Sequence, residues 1–290
     1  MSTFVRLLPC VALAALLGGC QTLSDAMPWN GKISSLDAKA AADPSTIPVE
    51  QMYNNGIDAL NSRRFTTADT QFDNVEQYYP YSSWAVNAQL MHGYTEYLQN
   101  NYTDAISLLD HFIQLHPTNR DIAYAYYLRA LSYYEQIADI SRDQKGTQMA
   151  MGALQEVVNR FPDSAYGRDA RLKIDLCTDH LAGKEMAIGR WYESQHLYTA
   201  AIGRFQRVVD NYQTTNHVPE ALHRLTEIYL ILGLTDEAKK TAAVLGHNYP
   251  GNEWYEDSYN QLLADGQIPN AQTGKTSHPG FFARNIGSIF

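Results

Sequence analysis

The fold is decided by residues 56–80, GIDALNSRRFTTADTQFDNVEQYYP, whose pattern returns at the same intervals in residues 93–117, GYTEYLQNNYTDAISLLDHFIQLHP. In both segments a glycine is followed twelve residues later by alanine, four residues after that by a large apolar residue, and eight after that by proline. The alanine position recurs in three further segments, at Ala150, Ala201 and Ala238. Five segments in one register indicate a helical solenoid, and stacked helical hairpins typically provide a binding surface.

Helix packing explains each position of the pattern. Two antiparallel helices approach closely where both carry small side chains, so we expect Gly56 to face Ala68 and Gly93 to face Ala105. The large residue one turn further along, such as Phe72, is expected to fill the gap to the next hairpin. Proline cannot continue a helix and marks the end of a unit. The sequence therefore predicts an all-α fold, a right-handed solenoid of five helical hairpins over residues 49–263.

The pattern resembles the tetratricopeptide repeat, whose unit has about 34 residues. The five alanines, beginning with Ala68, are separated by 37, 45, 51 and 37 residues, so the third and fourth units are longer than the others. The third insertion is predicted as a polar loop from Ile137 to Thr147. The fourth is predicted as an extended helix from about Ser164 to Gln195.

The N-terminus predicts a secreted, membrane-anchored protein. Residues 1–19 contain one early cation, Arg6, then an apolar run too short to span a membrane, which is typical of a signal peptide. The sequence LGGC, ending at Cys20, resembles a bacterial lipobox, so Cys20 is the predicted site of a covalent lipid. Gln21 after it resembles lipoproteins sorted to the outer membrane. The alternative is a plain signal peptide with an incidental cysteine.

Two polar regions flank the predicted solenoid. Residues 20–48 contain three prolines and no sustained helical stripe, and we predict a flexible linker there, with an ordered strap on a partner as the alternative. Residues 264–290 are rich in Gly, Asn, Ser and Pro and are predicted to be disordered. The aromatic end of this tail, including Phe290, suggests a short docking motif.

Composition and motifs argue against catalysis. The formal net charge of −9 at pH 7 disfavours binding to nucleic acid or to anionic lipid. The sequence contains no nucleophile elbow or phosphate loop, and its nine histidines include no pair at i, i+4. We therefore expect no enzyme activity, no metal site and no cofactor apart from the lipid on Cys20. Cys177 lies in a helical context and is predicted to be a buried apolar residue.

The first helices of the hairpins are predicted to line an aromatic groove. In tetratricopeptide arrays these helices face the concave side, and the register counted from Gly56, Gly93 and Ala130 places mainly tyrosines there. The candidate residues are Tyr53, Asn87, Leu90, Tyr94, Tyr97, Tyr124, Tyr127 and Tyr134. Such a groove suits an extended segment with aromatic and aliphatic side chains. The alternative is that these tyrosines pack between helices as part of the core.

Arginines concentrate in the later units. Together with the long helix they suggest a docking face for a second protein that presents carboxylates, because the planar guanidinium pairs well with them. The candidate residues are Arg190, Arg204, Arg207 and Arg224. Each one alone is expected to form a surface ion pair that contributes little to stability.

Residues from about 17 to 255 together resemble the BamD (ComL) family. The resemblance is carried by the lipobox, the five hairpins, FDNVEQYYPYS at residues 72–82, SRDQ at 141–144 and YGRDA at 166–170. It implies a non-enzymatic subunit of the outer-membrane β-barrel assembly (BAM) machinery, lipid-anchored in the outer membrane and facing the periplasm. The implied partners are the barrel-forming BamA with its periplasmic repeats, accessory lipoproteins, and unfolded precursors recognised through an aromatic C-terminal strand signal. The sequence departs from the family pattern at Gln213, where the repeat would have proline.

Two other functions stay open from the sequence. One is a different periplasmic repeat scaffold that serves envelope division or pilus assembly. The other is an activator of peptidoglycan synthases or a wall-binding lipoprotein.

Overall fold

A computed structural model describes residues 44–268, in which all regular structure is helical. A short 3-10 turn at Pro44–Thr46 precedes eleven α-helices: α1 Val49–Asn61, α2 Phe65–Tyr78, α3 Ser83–Leu98, α4 Tyr102–Leu115, α5 Ile122–Tyr134, α6 Lys145–Arg160, α7 Ala165–Ser194, α8 Tyr198–Asn211, α9 Val218–Ile231, α10 Thr235–Asn248 and α11 Glu253–Ala264. The predicted signal peptide, Cys20 and most of the predicted tail lie outside the described residues.

The helices form five consecutive antiparallel hairpins, and α11 packs against the last of them. Each helix contacts the next along the chain, and the first helices α1, α3, α5 and α7 also contact one another in succession. The first helices therefore share one side of the stack, which we call its inner face. The predicted all-α, tetratricopeptide-like solenoid of five hairpins is confirmed.

Four of the five hairpins turn in the same way. After the first helix, one residue adopts a left-handed backbone conformation. The backbone N–H of the residue that follows it donates to the carbonyl oxygen five residues earlier, with N···O distances of 2.8–3.0 Å. This closure satisfies carbonyl groups that the end of a helix leaves unpaired. The left-handed residues are Arg63, Asn100, His196 and Gly233. The third hairpin instead connects α5 and α6 through residues 135–144, so the predicted insertion loop is confirmed with slightly earlier bounds.

The glycines of the repeat pattern make room for large side chains, which corrects one expectation. A Cβ atom on Gly56 would lie 2.7 Å from the ring of Phe72, and one on Gly189 would lie 2.5 Å from the ring of Phe205. A Cβ atom on Gly93 would likewise lie 3.0 Å from Leu109. The nearest partner of the glycine is therefore the large residue of the second helix and not the alanine one turn earlier. Because the ring needs the space, a glycine on the first helix permits a fully buried phenylalanine on the second.

Helix α7 joins two hydrophobic cores. It has 30 residues, which corresponds to about 45 Å, and it runs from its N-cap Ser164 to Gln195 as the sequence predicted. Ala170 and Cys177 in its first half belong to the core formed with α3–α6. Ala182 and Met186 in its second half belong to the core formed with α8–α10. One continuous helix thus completes the third hairpin and begins the fourth.

The insertion loop packs on the middle of α7. His180 Nε2 lies 2.9 Å from the carbonyl oxygen of Ala138, and Lys184 Nζ donates to the carbonyl oxygen of Ser141 at 2.9 Å. A Cβ atom on Gly183 would lie 3.9 Å from Ile140 and 3.3 Å from His217, which approaches from the α8–α9 connection. The insertion loop and the long helix α7, the two elements that lengthen the repeats, therefore pack against each other at the junction between the two cores.

Helix α11 docks on α9 through a buried histidine. His223 is 4% exposed, its Nδ1 lies 2.9 Å from Ser258 Oγ, and its ring lies 5.1 Å from the ring of Trp254. Burial lowers the pKa of His223, and Arg224 acts in the same direction, while Glu227, Asp257 and Glu220 oppose it. The neutral imidazole is therefore the form that the folded state stabilises.

The stability of the fold is expected to decrease in mild acid because of His223. A depressed folded-state pKa gives stability that is complete above the ordinary value of 6.5 and is lost as the pH falls toward the folded-state pKa. We expect the free energy of unfolding of the wild type, relative to a His223→Gln variant, to decrease between about pH 7.5 and pH 5. Chemical denaturation at each pH measures this difference, and parallel curves for the two proteins would exclude the effect.

Candidate functional site

Four tyrosines on three successive first helices form a surface that we call the aromatic ladder: Tyr94 on α3, Tyr124 and Tyr127 on α5, and Tyr166 on α7. The ring centroids of Tyr94 and Tyr124 are 6.4 Å apart, and those of Tyr124 and Tyr166 are 5.6 Å apart. Tyr127 and Tyr166 are 5.2 Å apart with an interplanar angle of 30°. All four side chains are half-buried, so each ring both packs against its neighbours and remains partly accessible.

The hydroxyl groups on this face are neutral hydrogen-bond donors. Tyr127 donates to the carboxylate of Asp169, and the Tyr97 hydroxyl lies 3.4 Å from the carboxylate of Glu135. Burial and the nearby Glu135 raise the pKa of Tyr97 to about 12. Burial also raises the pKa of Tyr124, helped by its tyrosine neighbours. Tyr97, Tyr124 and Tyr127 therefore present aromatic rings with protonated hydroxyl groups.

The other predicted groove residues are distributed around the ladder. Tyr97 packs on Tyr102 with centroids 5.8 Å apart, and the ring of Tyr134 lies 4.7 Å from Lys173 Nζ. Tyr53 is separate, because its ring packs on Trp84 at 5.0 Å and on Phe72 at 5.7 Å.

Two of the predicted groove residues are not aromatic. Asn87 is half-buried. Leu90 is 8% exposed and belongs to the core with Leu109 and Phe112, so the structure removes it from the accessible candidates.

Tyr166 was missed because the groove register was counted only from Gly56, Gly93 and Ala130 and was not extended to α7. A local signal exists in the sequence: a proline, a capping residue two positions later, and an aromatic residue two positions after that. It occurs as Pro80-Tyr81-Ser82-Ser83-Trp84, as Pro162-Asp163-Ser164-Ala165-Tyr166 and as Pro250-Gly251-Asn252-Glu253-Trp254. In all three the cap side chain accepts a backbone N–H, and the aromatic ring contacts the preceding first helix.

The first-helix face becomes charged beyond the ladder. Arg190 Nη1 on α7 lies 2.8 and 2.9 Å from the two carboxylate oxygens of Glu220 on α9. Arg224 lies 3.1 Å from Glu227, 3.6 Å from Glu220 and 4.0 Å from Glu193. Burial raises the pKa of Glu193 in this group. Two of the candidate docking arginines thus belong to one ion-pair network that joins the first helices of the fourth and fifth hairpins.

The other two candidate arginines share one carboxylate. Arg204 lies 3.0 Å from Glu185, and Arg207 lies 3.7 Å from the same oxygen atom. The Arg207 side chain is 57% exposed, whereas that of Arg204 is 28% exposed. Arg207 is therefore the arginine of the four whose charge is most accessible from solvent.

A second polar cluster lies between α2 and α3. His92 lies between Asp69 and Glu76, and Glu96 is one turn further along α3. Burial opposes a charged imidazole, but the carboxylates of Asp69 and Glu76 raise the pKa of His92 to about 10. Among the described residues, Asp69, His92 and Glu96 form the one group of three or more His, Cys, Asp or Glu side chains that could hold a metal ion.

Cys177 is a packing residue, as predicted. It is 1% exposed in the core of the third hairpin, and burial raises the pKa of its thiol to about 11. A thiol that remains protonated at neutral pH is a poor nucleophile and a poor metal ligand.

The stacked helical hairpins, with the aromatic ladder on their first helices, define a tetratricopeptide-like solenoid. Within residues 44–268 we find no helix that combines the length and the apolar character needed to cross a membrane. The family described as YfiO, outer membrane lipoprotein, matches residues 45–245.

Named relatives agree with this match. The chain is 50% identical to the outer membrane protein assembly factor BamD of Caulobacter vibrioides over 222 residues, which cover 77% of this chain and 73% of that protein. It is 42% identical to the protein of the same name from Rickettsia prowazekii over 249 residues, which cover 86% and 93% of the two chains. The chain therefore belongs to the BamD family of outer membrane lipoproteins, which confirms the resemblance read from the sequence.

Proposed function

We propose that this chain is a non-enzymatic scaffold and recognition subunit of the outer-membrane β-barrel assembly machinery. The observation that carries the proposal is its 50% identity to a protein named outer membrane protein assembly factor BamD. A solenoid with an accessible aromatic inner face supports a role in binding extended segments. The barrel-forming BamA, accessory lipoproteins and unfolded barrel precursors are the partners that we propose.

The proposed location is the periplasmic face of the outer membrane. A covalent lipid on Cys20 would anchor the chain, and residues 20–48 would connect that anchor to α1. More than one acyl chain is needed for stable anchoring, which the triacylated cysteine of a bacterial lipoprotein would provide.

The aromatic ladder is the proposed binding site for the precursor. Its rings offer large apolar contact area with few rotatable bonds, and the hydroxyls of Tyr94, Tyr124 and Tyr166 can donate to backbone carbonyls of an extended segment. Tyr53, Asn87, Tyr97 and Tyr134 extend the candidate surface on either side of the ladder.

The arginines of the fourth and fifth hairpins form the proposed docking surface for a second protein. A partner carboxylate can join Arg207 without displacing a close ion pair, because Arg207 is 3.7 Å from Glu185 and largely exposed. A partner carboxylate that binds Arg190, Arg204 or Arg224 would share the arginine with the glutamate that it already contacts, or would displace that glutamate.

Depletion of this protein is expected to lower the amounts of β-barrel proteins in the outer membrane. Wild-type protein supplied in trans should restore them, and a Tyr124→Leu/Tyr166→Leu variant should restore them only in part. The same double variant should bind a synthetic peptide with a barrel protein's C-terminal strand about tenfold more weakly, since a buried aromatic contact of this kind is worth more than about 1 kcal/mol.

The matched control is Tyr81→Leu, because Tyr81 is a fully exposed tyrosine on the α2–α3 connection, away from the ladder. Circular dichroism identifies variants that fail to fold. An unchanged outer-membrane protein profile on depletion would exclude the assembly function. If the folded double variant binds the peptide as tightly as wild type, the ladder is excluded as the precursor-binding site, whereas the assembly function is not.

A further inference from the structure

Four ionisable side chains converge at the interface of α2 and α3. The ladder residue Tyr94 is on the same helix as His92 but contacts Tyr124 on α5. Asp69 and Glu76 are two turns apart on α2, and His92 and Glu96 are one turn apart on α3. His92 Nε2 lies 2.9 Å from Asp69 Oδ1, and His92 Nδ1 lies 3.0 Å from Glu76 Oε1. The imidazole therefore has a carboxylate at each of its nitrogen atoms.

The pairing of these groups within the protein is incomplete. Asp69 Oδ1 is a buried atom 2.9 Å from His92 Nε2, and the two groups attract each other as an ion pair without a well-aligned hydrogen bond. Glu96 is 8% exposed, and the His92 side chain is 13% exposed. Three carboxylates thus surround one imidazole in a partly desolvated site, and a protonated His92 supplies a single positive charge against them.

The donor atoms lie close enough together to contact one divalent cation. One ligand atom from each of Asp69, His92 and Glu96 lies within 4.8 Å of the other two. Zn–N and Zn–O bonds of about 2.0–2.2 Å place the ligand atoms of a tetrahedral site roughly 3.3–3.6 Å apart. Small side-chain rotations would bring the three ligand atoms to that spacing, moving His92 Nε2 and Asp69 Oδ1 slightly apart from their present 2.9 Å. Glu76 on Nδ1 supplies the outer carboxylate that orients most metal-bound histidines.

We propose that Asp69, His92 and Glu96 bind one Zn²⁺ ion, with Glu76 as the positioning residue that orients His92. The ion takes the place of the proton on Nε2, which is released to solvent, and a water molecule completes the tetrahedral coordination. The imidazole nitrogen favours Zn²⁺ over Ca²⁺ and Mg²⁺, which prefer sites made only of oxygen atoms. Bound zinc would link α2 to α3 and so fix the first hairpin on the second. The inference does not depend on the proposed function.

Zinc affinity is tested on the full-length chain, purified in detergent with a tag that contains no histidine. Competition with a chromophoric chelator is expected to show one Zn²⁺ per chain and a melting temperature that rises with zinc. His92→Gln should abolish the site, and Glu76→Gln should weaken it by about 10–100-fold, as for other residues that orient a metal ligand. The matched control is His111→Gln, an exposed histidine on α4, which should leave the affinity unchanged.

Several outcomes would overturn the proposal. They are the absence of zinc binding, equal zinc affinity in wild type, Asp69→Asn and His92→Gln, or a stronger response to Ca²⁺ than to Zn²⁺. If His92→Gln does not fold, Asp69→Asn and Glu76→Gln decide the question, each checked by circular dichroism. X-ray absorption of the zinc-loaded wild type should show nitrogen and oxygen donors at about 2.0–2.2 Å and no sulfur.

Discussion

Gly167→Ala is expected to destabilise the protein by about 3 kcal/mol, the upper part of the usual range for overpacking. A Cβ atom at this position would lie 2.3 Å from the backbone carbonyl oxygen of Phe161, a contact that no side-chain rotation can relieve. The α6–α7 corner would have to open, and the hydrogen bond from Gly167 N to Ser164 Oγ, now 2.9 Å, would be strained. Urea denaturation measures the loss as a lower midpoint and a lower free energy of unfolding.

Gly152→Ala is the matched control for Gly167→Ala. Gly152 also lies inside a helix, α6, but a Cβ atom there would meet nothing within 4 Å. Alanine should therefore stabilise the protein by up to about 1 kcal/mol through helix propensity alone. Equal effects of the two substitutions would show that the close contact at Gly167 is not the determining feature.

Phe205→Ala is expected to cost about 3–5 kcal/mol, since Phe205 is fully buried in the second core and its removal leaves a cavity. The same experiment tests the pairing of glycine with a large residue. Gly189→Ala alone should destabilise, because its Cβ atom would lie 2.5 Å from the Phe205 ring. In the Phe205→Ala background the added methyl group has space, so the same change should be neutral or stabilising.

The informative quantity is the coupling energy of this double-mutant cycle. A favourable coupling of about 1 kcal/mol or more supports the direct contact of Gly189 with Phe205. Additive effects of the two substitutions would contradict it. Circular dichroism of each variant establishes that the native helical content is retained.

The repeat register was readable from the sequence because it depends on local chemistry. Helix breakers such as Pro162, caps such as Ser164 and the buried alanines act over one or two turns, so the bounds of α7 could be predicted closely. The spacing of the alanines also located the two insertions. What the spacing could not provide was the partner of each glycine, because the contact between Gly56 and Phe72 depends on how far the second helix is shifted along the first.

The site was less predictable because it is assembled from neighbouring repeats. The tyrosines of α3 and α5 follow from the register, but Tyr166 belongs to the long helix α7, to which the register counted from Gly56, Gly93 and Ala130 was not extended. The polar cluster was missed for a related reason. His92 and Glu96 have helical spacing, yet Asp69 and Glu76 lie more than fifteen residues away on another helix, and a search for paired histidines could not connect them.

Helix α7 also fixes the distance between the aromatic ladder and the charged network. Tyr166 in the ladder and Arg190 in the charged network are 24 residues apart on one unbroken helix, or about 36 Å along its axis. An extended segment of about eleven residues covers that length, and a strand that crosses a membrane in a β-barrel has about 9–11 residues. A polypeptide in contact with both ends of α7 would therefore be held over the length of a single barrel strand.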